Sequence, residues 1–229
     1  MPRTARASAG GVCYHVINRG NGGATVFHGS DEYQAFVALL GEERAPVAMR
    51  ILAYCLMPNH FHLVLWPFQD GDLSRWMQWL MTAHVRRHHQ RHGSSGHVWQ
   101  GRFRAFPVQH DEHLVSVLRY VERNPLRAGL VERAENWAWS SLRLRLKDRR
   151  SAVLADSPVP LRNDWPAFVG APQTVAELER LRHSVNRGTP FGDDGWVRET
   201  ATRLGLESSL RPRGRPKQDR GGADRKDLS

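Results

Sequence analysis

Residues 54–66 of the chain read YCLMPNHFHLVLW. The apolar run that follows the Met-Pro-Asn turn predicts a β-strand, because such residues suit a pleated, half-buried surface. Alternate side chains of a strand share a face, so His60 and His62 point to one side of the sheet and Phe61 to the other. Two imidazoles at this spacing can hold one divalent cation, and a cation there can polarise a phosphate. A hydrogen-bonded core histidine is the alternative, so a metal site needs another ligand and a reactive group from elsewhere.

The composition is that of a folded protein without a membrane span. The 229 residues fit one domain with extensions or two small ones, and the 40% apolar fraction, with 8 Trp and 8 Phe, is enough for a core. No apolar run reaches the roughly 18 residues of a transmembrane helix. The first residues are basic but lack the apolar segment of a secretory signal. Cys13 and Cys55 alone predict neither a disulfide framework nor a thiolate zinc site, and we expect a cytoplasmic, nucleoid-associated protein.

The charge balance favours a polyanionic partner. The formal net charge is +10, and each phosphate that a basic side chain neutralises releases a condensed counterion. An arginine-rich soluble protein without such a partner is the alternative. Composition therefore indicates nucleic acid without excluding other partners.

Hydrophobic periodicity predicts an α+β fold. In chain order it predicts a strand at 12–18, a helix at 31–43 capped by Asp31, a strand at 47–55, the strand that begins at His60, a helix at 72–92, a strand at 98–108 and a helix at 111–124. The last helix should end at Asn124, because Pro125 disfavours helical geometry in the residue before it. The first six elements follow the ferredoxin-like split βαβ order, with an antiparallel sheet and two helices on one face.

The rest of the chain predicts an extension and a tail. Residues 174–186 and 194–204 have the pattern of short helices, and the Pro-rich residues 151–172 predict a loop. From Arg211 onward apolar residues are almost absent, which is typical of a segment that is disordered when free. We therefore divide the chain into a domain at 1–142, a helical extension at 143–210 and a basic tail at 211–229.

A second group of candidate functional residues lies on the helix at 111–124. Asn124 follows Tyr120 by one helical turn, so both side chains can project toward one point. A tyrosine hydroxyl is a poor nucleophile at its free pKa of about 10. Against a polarised phosphate it can attack and later leave, and Asn124 can supply an amide oxygen as a third metal ligand. An amphipathic helix with a tyrosine at the core margin and a capping asparagine is the alternative.

Together these motifs resemble the HUH single-tyrosine transposases, and more narrowly the REP-associated tyrosine transposases. The resemblance covers roughly residues 12–142 and continues toward the C-terminus. Besides residues 54–66, its blocks are YHVINRG at 14–20, VWQGRF at 98–103, residues 120–131, WAWSS at 137–141, residues 196–208 and RPRGRPK at 211–217. Several blocks in the right order make the resemblance specific.

The resemblance implies a set of roles. His60 and His62 would be metal ligands, and Tyr120 would be the nucleophile that forms a 5′-phosphotyrosine and frees a 3′-hydroxyl. Asn124 falls where the broader family often has glutamine, and its shorter side chain would need a closer helix. The cation would be Mg²⁺ or Mn²⁺. The substrate would be single-stranded DNA folded into a hairpin, such as a repetitive extragenic palindrome, and the enzyme would act as a monomer or homodimer.

Basic residues outside these motifs are candidate DNA contacts. Trp99 and Phe103, beside two of them, could stack on bases. Residues 213–216 match the core of an AT-hook, whose arginines lie in a narrow minor groove. The candidate DNA-binding residues are Arg19, Arg86, Arg87, Arg102, Arg104, Arg211, Arg213, Gly214, Arg215 and Lys217.

Two other functions stay open on the sequence alone. A metal-assisted hydrolase would use His60 and His62 with water as nucleophile and would form no covalent adduct. A DNA-binding regulator would keep the fold and bind hairpins without cleaving them. Such a regulator would have no need for His60, His62, Tyr120 and Asn124 together, so the presence of all four argues against it.

Overall fold

The structure is a computed structural model that describes residues 8–147 and 153–211. The candidate tail residues Arg213, Gly214, Arg215 and Lys217 lie outside the described residues. The elements are β1 Cys13–Arg19, α1 Ser30–Leu40, β2 Met49–Met57, β3 His60–Pro67, α2 Asp72–His92, β4 Arg104–Val108, α3 Glu112–Arg127, α4 Ser141–Lys147, α5 Trp165–Gly170, α6 Val175–Arg187, α7 Asp194–Leu204 and α8 Glu207–Leu210. No helix among the described residues is both long and apolar enough to cross a bilayer.

The predicted ferredoxin-like sheet is confirmed. Its four strands lie in the order β2-β3-β1-β4, and each neighbouring pair is antiparallel. Helices α1 and α2 cover one face of the sheet, in the cluster that contains Phe36, Trp76 and Phe61. Helix α3 covers the opposite face, in the cluster that contains Val64 and Val117. The central strands are therefore buried on both faces, which explains their almost continuous apolar sequence.

The strand β3 presents its residues as the period of two predicts. Phe61 packs toward α1 and α2, with ring centres 5.4 Å from Phe36 and 5.1 Å from Trp99. His62 therefore lies on the α3 face, where it is almost fully buried. A two-residue connection, Pro58 and Asn59, joins β2 to β3 and sets Met57 opposite His60.

Several elements differ from the predictions. Asp31 does not cap α1: the helix follows Gly29, ends before Gly41, and Asp31 instead pairs with Arg91 at 3.3 Å. The strand predicted at 98–108 is only Arg104–Val108, because the chain before it turns at Gly101, whose φ is +72°. Such a positive φ favours glycine. The loop predicted at 151–172 contains the short helix α5.

The end of α3 is the most consequential difference. The helix passes through Pro125 and ends at Arg127, so the prediction that it stops at Asn124 is wrong. Proline removes its own N–H from the helical ladder, and its ring crowds the carbonyl four residues earlier. The helical bond from Ala128 N–H to the Asn124 carbonyl, at 2.9 Å, still forms, and the Asn124 amide donates to the Tyr120 carbonyl at 3.1 Å. One more helical turn therefore follows the proline.

A buried carboxylate on α3 joins this helix to the C-terminal extension. Glu122 is fully buried and accepts hydrogen bonds from Ser141 Oγ at 2.5 Å, Arg145 Nε at 2.9 Å and Trp165 Nε1 at 2.6 Å. Three donors, one of them the cationic Arg145, compensate a charge that would otherwise be costly to bury. Helices α3, α4 and α5 thus share one polar centre.

Two arginines of α3 add contacts to the same extension. Arg119 donates to the carbonyls of Ala171 and Pro172 at 2.8 and 3.1 Å, and Arg123 donates to those of Val169 and Gly170. These carbonyls lie at the C-terminal end of α5, where helical partners are missing and cations are favoured. The division of the chain at residues 142 and 210 stays a prediction.

Candidate active site

The strand β3 and the helix α3 bring the predicted site residues together. The ring centres of His60 and His62 lie 5.0 Å apart, and that of Tyr120 lies 5.8 Å from His62. Asn124 is buried one turn farther along α3. All four residues belong to one chain, so the arrangement needs no second protomer.

His60 has the protonation state of a metal ligand. Its Nδ1 lies 2.7 Å from the Asn59 side-chain oxygen, and since that oxygen can only accept, Nδ1 carries the hydrogen. Burial, reinforced by the charges of Arg19 and Arg127, lowers the pKa of His60 to about 4. The ring is therefore neutral near pH 7, and Nε2 keeps the lone pair that a cation needs.

His62 is held by a second buried histidine, His15 of β1. The Nδ1 of His62 lies 2.9 Å from the Nε2 of His15, and both rings are almost fully buried. Burial, with smaller effects from neighbouring positive charges, lowers the pKa of His62 well below its ordinary value, and burial lowers that of His15 to about 3. When His62 donates from Nδ1, its Nε2 is free for a cation, and His15 would then stand where metal-binding histidines usually have an outer partner.

Sequence reasoning missed His15 as a site residue. The signal available was a polar residue within an apolar strand. Its partner is 47 residues away along the chain, and only the pairing of β1 with β3 brings the two rings together.

Arg127 contacts the Tyr120 side chain, and sequence reasoning missed it as a site residue as well. Its guanidinium donates from one nitrogen to the Tyr120 hydroxyl at 3.2 Å and to the Asn124 side-chain oxygen at 2.6 Å. The same guanidinium lies 4.5 Å from the centre of the Tyr120 ring. The predicted helix ends at Asn124, so the sequence pattern gives no reason to expect Arg127 one turn beyond Tyr120 and Asn124.

The residues present fit a divalent cation. His60 and His62 are neutral nitrogen donors whose Nδ1 atoms are already engaged. The Asn124 oxygen accepts from Arg127, but an amide oxygen has two lone pairs and can bind a second partner. Two imidazoles and one amide oxygen leave room for oxygen ligands from a substrate phosphate.

The candidate DNA-binding arginines are spread over two regions. Arg19 is exposed at the end of β1, paired with His60 in the sheet, and Arg104 is exposed at the start of β4. Arg86 and Arg102 line a groove between α2 and the loop before β4, whereas Arg87 donates to the Ala35 carbonyl of α1 at 3.2 Å. Arg211 is exposed at the end of the described chain.

The stacking role predicted for two aromatic residues beside this groove is wrong. Trp99 and Phe103 are buried in the core on the α1 and α2 side of the sheet, with 4% and 7% of their surfaces exposed. Little of either ring is therefore open to a base. Their apolar character reflects packing against the sheet.

Comparison with known families decides the classification. Residues 9–124 match the family described as "Transposase IS200 like". The chain belongs to the IS200-like transposase family. The match includes His60, His62, Tyr120 and Asn124, and it ends three residues before Arg127.

One curated relative and one solved structure are also similar to this chain. A Haemophilus influenzae protein, provisionally named a REP-associated tyrosine transposase, is 29% identical over 107 residues. That match spans 42% of this chain and 60% of the relative's length. A solved structure, described as a REP-associated tyrosine transposase bound to a REP hairpin, aligns with a TM-score of 0.51 over 76% of this chain and 99% of its own. At 17% identity, this second likeness shows a shared fold.

Proposed function

We propose that this chain cleaves and rejoins single-stranded DNA through a covalent bond between Tyr120 and a 5′-phosphate. The position of the Tyr120 phenol beside His62 is the observation that supports this function most. Arg127 donates to the phenol oxygen, so it would stabilise negative charge on that atom. A tyrosine between two candidate metal ligands and a guanidinium suits attack on a phosphodiester.

The proposed reaction conserves the number of phosphoester bonds. The Tyr120 hydroxyl oxygen attacks phosphorus and loses its proton to solvent, while the bond from phosphorus to the 3′ oxygen breaks and that oxygen takes up a proton. In the reverse direction a 3′-hydroxyl attacks the phosphotyrosine and frees the phenol, so water is not consumed. His60, His62 and Asn124 would hold Mg²⁺ or Mn²⁺, which when bound would supply positive charge that polarises the phosphate.

We propose hairpin DNA as the substrate. The net charge of +10 suits a polyanion, and the solved relative is described as bound to a REP hairpin. The groove that contains Arg86 and Arg102 could hold the DNA backbone. Its loop is anchored near the candidate active site, because Gln100 N–H donates to the Arg19 carbonyl at 2.8 Å and Arg19 pairs with His60.

We further propose that the tail from Arg211 onward contacts the same DNA. Deleting residues 211–229 would then weaken hairpin binding and reduce its dependence on salt, because fewer counterions would be released. An unchanged affinity over a salt titration would remove the tail from the proposal.

Covalent trapping tests the proposed chemistry. The full-length chain is incubated with end-labelled hairpin DNA and Mn²⁺, and a protein–DNA adduct that survives denaturation is expected. Tyr120→Phe should abolish the adduct. Tyr33→Phe is the matched control, because Tyr33 stacks on Trp139 away from the histidine pair and should react normally.

The outcomes also separate the two alternatives. Cleavage without an adduct, equally fast in Tyr120→Phe, would establish a hydrolase that uses water. Hairpin binding with no cleavage under any divalent ion would establish a DNA-binding regulator. Either result would overturn the proposed function.

A further inference from the structure

A second group of histidines lies on the α1 and α2 side of the sheet, away from Tyr120. His88 and His92 are four residues apart near the end of α2, and His28 precedes α1. The ring centres of His88 and His92 lie 4.5 Å apart, and those of His28 and His92 lie 5.1 Å apart. Each ring offers one nitrogen such that all three atoms lie within 4.8 Å of one another.

We propose that His28, His88 and His92 bind a second divalent cation, Zn²⁺, that ties the start of α1 to the end of α2. This site is separate from the proposed strand transfer. Nitrogen atoms around tetrahedral Zn²⁺ lie about 3.4 Å apart, since the metal–nitrogen bonds are about 2.0–2.1 Å. The three ring nitrogens would each have to approach by no more than about 1.4 Å, which small side-chain rotations can supply.

The carboxylate of Glu32 contacts two of the three histidines without being one of the proposed ligands. It accepts the His28 backbone N–H at 2.7 Å and the His92 Nε2 at 2.6 Å. Because a carboxylate only accepts, His92 Nε2 carries a hydrogen, and the other nitrogen of the neutral ring keeps a lone pair. A carboxylate that holds a histidine in this way is the usual outer partner of a zinc ligand.

Two further observations favour a cation at this place. His88 Nδ1 is shielded from water and has no hydrogen-bond partner among the described residues, which is costly for a ring nitrogen unless a ligand compensates it. The cluster lies at the C-terminal end of the 21-residue helix α2, where the helix dipole attracts positive charge.

The donor set indicates which cation would bind. Imidazole nitrogen suits Zn²⁺ and its neighbours in the first transition row, whereas Mg²⁺ and Ca²⁺ prefer oxygen ligands. With three protein nitrogens, water or another external group would fill the fourth position. The charge of Glu32, which Arg91 partly balances at 3.2 Å, would offset part of the ion's charge.

The test uses the full-length chain with His60→Ala and His62→Ala, so that the candidate active site cannot take up the metal. Calorimetric titration with Zn²⁺ should give one equivalent per chain. Bound Co²⁺ should give the intense visible bands of a tetrahedral site. Adding His88→Ala should remove both signals, and adding Glu32→Gln should weaken Zn²⁺ binding about 10- to 100-fold.

Control variants keep the test decisive. Adding His89→Ala to the chain with His60→Ala and His62→Ala should leave Zn²⁺ binding unchanged. The His89 ring hydrogen-bonds to Ser94 and to the Gly96 carbonyl and is not one of the proposed ligands. Circular dichroism without metal checks folding, and His28→Ala, in the segment before α1, replaces His88→Ala if the helix variant unfolds. If the chain with His60→Ala and His62→Ala binds no Zn²⁺, the proposed site is overturned. The same holds if adding His88→Ala or His28→Ala leaves Zn²⁺ binding unchanged. Neither result depends on DNA cleavage.

Discussion

Replacing Arg127 by leucine removes the cation that contacts both the proposed nucleophile, Tyr120, and the third candidate metal ligand, Asn124. Its nitrogen donates to Tyr120 at 3.2 Å and to Asn124 at 2.6 Å. One donor aimed at developing charge in a dry site contributes about 2.7–4 kcal/mol, or 10²–10³ in rate. Arg127 is exposed, so water would replace part of its effect. We expect a loss of about 2 kcal/mol, which is about 30-fold in rate.

The assay is single-turnover formation of the covalent adduct on a labelled hairpin. The rejoining rate should fall by a similar factor, because the phenol oxygen regains negative charge as it leaves. Arg133→Leu is the matched control: Arg133 is exposed and pairs with Glu135, without contact to the site. Arg127→Leu reacting at the wild-type rate, or slowing no more than Arg133→Leu, would refute the role of this guanidinium.

Three further predictions concern metal affinity, DNA binding and stability. His15→Phe should weaken Mn²⁺ binding about 10-fold in calorimetric titrations, because the outer partner of a metal ligand is lost; equal affinity would exclude that role. Arg86→Ala and Arg102→Ala should each reduce the slope of hairpin affinity against salt by about 0.7–0.9, whereas Arg87→Ala, which contacts α1, should not. Burial lowers the pKa of His84 to about 3, so the unfolded chain takes up the proton first as the pH falls below about 6.5. The contribution of His84 to stability should therefore drop by about 2 kcal/mol by pH 5. In urea titrations His84→Phe should reduce the fall in stability by about this amount and leave the part that comes from the buried His15, His60 and His62; a fall as steep as in the wild type would contradict the assignment.

Local patterns were enough to predict much of the fold. The period of two placed His60 and His62 on one face and Phe61 on the other, and both sides of the sheet agree with it. The helix predicted at 72–92 matches α2 at both ends, because Gly71 and Gly93 adopt left-handed conformations that stop it.

The sequence could not reveal contacts that depend on distant pairing or on tertiary packing. His15 reaches His62 only because β1 pairs with β3, and no local period encodes that pairing. The rule for residues before proline ends the predicted helix at Asn124 and so leaves Arg127 out of the site. The rule takes no account of the tertiary packing that keeps Asn124 helical. The sequence predicts that Trp99 stacks on DNA bases at the surface, whereas in the fold its ring packs against Phe61.

The polar centre around Glu122 sets a lower limit on the smallest piece of this chain that can fold. The family match ends at residue 124, yet all three donors to this carboxylate, Ser141, Arg145 and Trp165, come later. A fragment cut at residue 142 would keep this buried anion with Ser141 as its one remaining donor. Helices α4 and α5 therefore stabilise the helix that carries the proposed nucleophile, and a fragment that folds by itself has to extend through α5.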